Sequence, residues 1–216
     1  MDNFIQTLAV YILPVLFAIT LHEAAHGYVA RHFGDLTAQE AGRISLNPIR
    51  HIDLMGTIVV PLVLLLVTRF MGGGLLFGWA KPVPVNWSRL RKPKQDMLWV
   101  ALAGPASNLL QAILWVLIWR AILESGSVQP DSFWVLMAHA GVQVNLILMA
   151  LNLIPLPPLD GGRVVFSLLP ARAAWQYGKI EPYGIVILLV LMMMGWLWPI
   201  MEPLLAFGEW IVRAFV

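Results

Sequence analysis

His22-Glu23-Ala24-Ala25-His26 is the segment of this chain best suited to chemistry. On a helix, positions i and i+4 share a face, so two imidazoles at that spacing can hold one metal ion. A glutamate beside the first histidine stands next to the metal and can take a proton from a water bound there. Zinc is the expected ion, one per chain, because it takes His and carboxylate ligands and makes water a usable nucleophile near neutral pH. The chain has no cysteine, so the remaining ligands must be His, Asp or Glu. Two histidines leave a catalytic zinc one protein ligand short. Asp160 is the best third candidate, as the sole acid between Asp131 and Glu181 and the residue that follows a long apolar run. The expected roles are therefore metal binding for His22, His26 and Asp160, and general base for Glu23.

The elements that must position these groups are membrane-spanning. Hydrophobic residues make up 59% of the 216 positions and charged residues 12%, against about 25% charged in soluble domains. Ten Trp fit an interfacial belt. A net charge of +2 without a basic aromatic module argues against nucleic acid as a partner. Residues 4–21, 97–119, 132–159 and 183–201 each approach or exceed the roughly 20 apolar residues of a spanning helix. The start, Met1-Asp2-Asn3, carries no basic residue, so the first run reads as a retained span rather than a signal peptide. Residues 54–68 are short, contain Pro61 and precede Gly72-Gly73-Gly74, which reads as a re-entrant hairpin.

Loop charges support that hairpin. If residues 54–68 cross, the Lys and Arg divide 9 to 5; if they dip and return, the division is 12 to 2. Cytoplasmic loops carry the excess of Lys and Arg, so the more polarised arrangement is expected. It makes the first span and the 132–159 span parallel and brings His22, His26 and Asp160 to similar depth. The site should then open towards the cytoplasm from a multi-pass protein of the cell inner (plasma) membrane. Pro155, Pro157 and Pro158 stop the preceding helix before Asp160, and Gly161-Gly162 allow a tight turn after it.

These segments resemble the site-2 protease family of intramembrane zinc metalloproteases. The resemblance rests on His22-Glu23-Ala24-Ala25-His26 and on residues 152–162, Asn152-Leu153-Ile154-Pro155-Leu156-Pro157-Pro158-Leu159-Asp160-Gly161-Gly162. Gly104-Pro105-Ala106-Ser107-Asn108 supports it. Residues 42–53 and 77–85 are similar to segments of the short bacterial members, which carry no PDZ-type or CBS-type domain. The resemblance covers residues 10–165. It implies zinc on His22, His26 and Asp160, water activation by Glu23, and cleavage of peptide bonds in or near transmembrane segments of other membrane proteins.

Other polar positions carry weaker readings. Asn108 and Asn152 lie in apolar spans, where such groups hydrogen-bond across helices or face a cavity. With His51 they are candidates for orienting a ligand or binding substrate. Of the amides, Asn108 and Asn145 lean to helix packing. Residues 77–85 are Pro-rich and suit a short extended segment that could pair with an unwound substrate. The basic stretch at 81–94 is a candidate contact for membrane lipid headgroups. The fold expected is an all-α polytopic membrane protein of about four spans, a re-entrant hairpin and a short extended segment with a site-2 protease-like core. Residues 1–216 form one membrane-embedded metalloprotease domain, with a core at 10–165 and a C-terminal span and tail at 166–216. The alternatives are a membrane metal-ion transporter and an inactive helix-binding scaffold.

Overall fold

The computed structural model describes residues 2–60, 63, 81–126, 129 and 131–215. Every regular element among the described residues is helical. Three helices are long and apolar enough to cross a bilayer. They are α1 (Asp2–His32), with its apolar length at Gln6–His32, then α3 (Pro93–Glu124) and α4 (Phe133–Asn152). At 1.5 Å per residue, the 20 residues of α4 reach about 30 Å, the thickness of a hydrocarbon core. Between α1 and α3 lie the short helix α2 (Thr37–Glu40) and 3-10 turns at Pro48–His51 and Trp87–Arg89.

Side-chain pairing fixes the directions. α3 meets α1 at His26–Val100 and again at Ala18–Asn108, so those two helices run antiparallel. α3 also faces α4, with Asn108 on Asn145 and Trp115 against Gly141, again antiparallel. α1 and α4 are therefore parallel, as the loop-charge argument requires. The core between α3 and α4 contains Ala112, Trp115, Val116, Ala138, Val142, Leu146 and Met149. Small residues recur there because helices in lipid gain their contact energy from close approach.

After α4 the chain turns through residues 153–159 and enters α5 (Asp160–Leu168), which packs on α3. The Gly161-Gly162 pair works differently from the turn expected of it. Both residues are helical, and neither has positive φ. Their missing side chains let the first turn of α5 lie on the 153–157 backbone: a Cβ at Gly161 would meet Ile154 O, and one at Gly162 would lie 2.7 Å from Leu156 C.

The C-terminal region holds α6 (Ala171–Gly178), α7 (Gly184–Met193) and α8 (Leu197–Arg213). The apolar run at 183–201 is broken. Gly195 adopts φ +71°, a left-handed conformation that suits glycine and ends α7. The pair Ala171–Met193 and Leu197–Arg213 is bent by 93°, and counts as a fourth span if taken as one. α8 returns against α4, where Met201 and Leu205 join the core. Only the beginning of the expected re-entrant hairpin is described: Asp53 caps a π-helical turn at Leu54–Val59 by accepting from the Gly56 N–H at 2.7 Å. The rest of residues 54–68, apart from 60 and 63, and residues 77–80 of the expected extended segment lie outside the described residues.

Candidate metal centre

His22 and His26 follow an apolar stretch of α1 that is partly buried against its neighbours and partly exposed. His22 sits about 24 Å along the helix from Gln6, within the depth of a hydrocarbon core. The helix pitch stacks the two rings one turn apart, with centroids 4.7 Å apart. Asp160 arrives at the same level from the first residue of α5. Its Oδ2 lies 3.2 Å from His22 Nε2 and 3.3 Å from His26 Nε2, and the two Nε2 atoms are 3.1 Å apart. Both histidines are buried.

The outward-facing nitrogens decide what this triangle is. His26 Nδ1 lies 2.7 Å from Val100 O, a carbonyl that can only accept. His22 Nδ1 lies 2.6 Å from Asn108 Oδ1. The orientation of that amide follows from a chain of bonds. Asn145 Nδ2 donates to Gly141 O at 2.9 Å, so Asn145 Oδ1 is the acceptor for Asn108 Nδ2 at 2.9 Å. Asn108 Nδ2 also donates to Ala18 O at 3.2 Å. Asn108 Oδ1 therefore faces His22 and accepts from its Nδ1–H. Each neutral imidazole spends its one proton on Nδ1 and turns a bare Nε2 lone pair inward.

Two nitrogen lone pairs and a carboxylate oxygen thus converge within 3.3 Å. Asp160 Oδ2 is buried with no hydrogen-bond donor. Such a group of acceptors is repulsive by itself. One added proton could bridge a single pair and leave the others opposed. One cation at the centre satisfies all three. Tetrahedral zinc with bonds of about 2.0–2.1 Å sets neighbouring ligand atoms about 3.3–3.4 Å apart, which fits the triangle. Among the described residues this is the one group of three or more His and acidic side chains able to hold a metal.

Gly104 of α3 makes room for it. A Cβ built there would run into His26 Nε2 and lie 2.6 Å from His22 Nε2. Glu23, beside His22, is partly buried, and its Oε2 accepts from the Val83 backbone N–H at 2.7 Å.

The other candidates separate. Asn108 reaches His22, whereas Asn152 donates to Leu148 O in its own helix at 2.9 Å. His51 is buried in the loop after α2, with Nε2 2.8 Å from Ser45 O, and it takes no part in the triangle. The sequence leans to packing for Asn108 and Asn145; Asn108 instead reaches His22, and Asn145 accepts from the Asn108 amide at 2.9 Å. Its place one helical turn after Gly141 on a packed face was the available signal. The Val100 carbonyl carried none.

Comparison with known proteins agrees with this chemistry. Residues 121–195 match the model of peptidase family M50, a stretch that includes Asp160. A Bacillus subtilis relative named "Putative zinc metalloprotease YwhC" is 37% identical over 190 residues, covering 83% of this chain and 78% of the relative. "Putative zinc metalloprotease Rip2" of Mycolicibacterium smegmatis is 29% identical over 187 residues, covering 85% of this chain and 67% of the relative. No solved structure matches.

Proposed function

Because the chain belongs to peptidase family M50, the site-2 protease family of zinc metalloproteases, we propose that it cleaves peptide bonds in or near transmembrane segments of other membrane proteins, with His22, His26 and Asp160 holding one zinc and Glu23 as general base. The observation that carries this reading is the convergence of His22 Nε2, His26 Nε2 and Asp160 Oδ2, at 3.1–3.3 Å from one another, beside a carboxylate and inside a multi-pass membrane protein. Zinc held there supplies a Lewis acid for the scissile carbonyl and lowers the pKa of a water at the site to about 7.

The chain's own residues do the rest. Val100 O and the Asn108 side chain hold the imidazoles in the tautomer that leaves Nε2 free. Asp160 contributes negative charge, which keeps the site anionic enough to retain a divalent ion. Glu23 takes the proton of the attacking water and passes it to the leaving amine. A helical substrate hides its carbonyls in its own hydrogen bonds, so the cleaved segment has to unwind first. The polarised loop charges support a site that opens to the cytoplasm from the inner (plasma) membrane, with anionic lipid at the basic face. We read residues 1–216 as a single membrane-embedded domain.

The test is cleavage of reconstituted single-span proteins by the wild type and Glu23→Gln, with zinc quantified in both. The expected result is cleavage by the wild type alone and about one zinc per chain in each. Equal cleavage by both, or a wild type without zinc, rejects the reading. Ion flux that survives Glu23→Gln would point to a transporter instead. A chelator should abolish cleavage, and added zinc should restore it.

A further inference from the structure

The Glu23 carboxylate is held from outside α1. Its Oε2 accepts from the backbone N–H of Val83, 60 positions away, at 2.7 Å. Val83 belongs to residues 81–86, which are non-helical, and it meets α1 at Glu23 and at Gly27. Resting on the reading above, we infer that the Val83 amide is the positioning group for the general base: it fixes Oε2 and leaves Oε1 to face the reacting water.

Three further observations support this. The first is the seat of the Val83 side chain, which is buried. Gly27, one turn after Glu23, leaves the notch that receives it. A Cβ at Gly27 would meet Val83 Cγ1 at 3.2 Å, Ile44 Cγ1 at 3.0 Å and Ala38 Cβ at 3.5 Å. Side chain and amide of Val83 therefore dock on consecutive turns of α1. The second is the set of anchors at both ends of the segment. The Lys81 N–H donates to His51 O at 2.9 Å, and the Arg43 guanidinium donates to Lys81 O at 2.7 Å and to Pro82 O at 3.3 Å. The Asn86 N–H donates to Asp35 Oδ2 at 2.6 Å, and Asp35 is fully buried. The third is covalent. Pro82 and Pro84 flank Val83 and carry no N–H, so Val83 offers the one amide donor between Lys81 and Val85. Two fixed proline φ angles also limit how far that donor can wander.

The energetic logic is that of preorganisation. A carboxylate on a flexible side chain must be aimed before it can accept a proton in the transition state, and a misplacement near 1 Å can cost about 10²-fold in rate. A backbone N–H bonded to one oxygen supplies that aim. This role goes with His51 as well, since its carbonyl holds Lys81; its contribution would be to the segment rather than to the metal.

The experiment pairs amide exchange with kinetics on the full-length protein. Residue-resolved hydrogen exchange of wild type and Glu23→Ala should show the Val83 amide exchanging about tenfold faster in the variant, with the Asp35-held Asn86 amide unchanged. Unchanged exchange at Val83, or equal acceleration at both positions, overturns the pairing. In cleavage assays Val83→Pro, which removes the N–H, should lower kcat by about 10²-fold at wild-type zinc content and KM, while Val83→Ala, which keeps it, retains far more kcat. Equal kcat in the two variants rejects the inference. If Val83→Pro fails to fold, Gly27→Ala replaces it, with kcat expected to fall about tenfold as the added methyl pushes Val83 off its seat. Glu23→Gln run in parallel separates the claims: full activity in that variant rejects the protease mechanism itself, whereas its loss beside an active Val83→Pro rejects only the role of Val83.

Discussion

His22 and His26 present the same ring atom from adjacent turns of one helix, yet the regions behind them differ in kind. On one side His26 leans on a main-chain carbonyl, Val100 O, in the first turns of α3. On the other, His22 leans on a side-chain relay that runs from Asn108 of α3 to Asn145 of α4 and ends on Gly141 O. The first support depends only on where α3 lies. The second depends on two amide side chains, both fully buried and both on helices that span the membrane. A backbone acceptor cannot be mutated away or flipped. A relay of amides can, but it also ties α1, α3 and α4 to one another at the level of the site. One side is therefore robust, and the other couples the site to helix packing.

Substitutions can break this comparison in order of severity. The triangle itself comes first: Asp160→Asn or His26→Ala should abolish cleavage and reduce bound zinc below stoichiometry, measured by metal analysis on purified protein. Gly104→Ala comes next. Its methyl would occupy the space of the two Nε2 atoms, so zinc content should collapse even though no ligand has changed. A Gly104→Ala protein with full zinc would show that α3 can retreat and that the close approach is not needed.

The relay is the third level. Asn108→Ala removes the acceptor for His22 Nδ1–H and frees the ring to turn, and the loss of such a partner costs about 10–100-fold in metal affinity. Competition against a calibrated chelator would measure it. Asn145→Ala acts one step further out and should cost less, about tenfold or under, because Asn108 keeps its bond to Ala18 O. Equal effects from the two would mean that Asn145 sets the amide orientation outright. The smallest effect belongs to Asn152→Ala. Its amide returns to Leu148 O in its own helix, so zinc affinity should stay within about twofold of wild type. A large loss there would assign Asn152 a partner outside its helix.

The outer helices offer a contrast to the site. α7 is apolar on all sides, with Ile185, Val186 and Val190 exposed to what would be lipid, and it ends at Gly195. Its sequence run, read as one span over 183–201, is two pieces bent at 93°. Hydrophobicity alone predicts burial in a bilayer but not straightness, because one residue in a left-handed conformation is enough to redirect the chain. The Arg163–Glu181 ion pair, with the Arg163 guanidinium over the Trp87 ring at 5.6 Å, ties this region to the loop ahead of α3.

By itself, the sequence determined the parts governed by local geometry. The i, i+4 spacing of His22 and His26 places two imidazoles on one face whatever surrounds the helix, because the pitch is a property of the backbone. The apolar runs determined the spans, and Asp160 stood out as a lone acid beside one of them. Tertiary structure decided what depends on packing between distant segments. Asn108 meets His22 across 86 positions and Asn145 across 37, while Asn152, equally polar and equally placed in a span, folds back on its own helix. The Val100 carbonyl had no signature to read, since almost every residue carries one, and the prolines on either side of Val83 single out its amide without naming a partner. Which backbone group meets a histidine or a glutamate is set only when the helices come together.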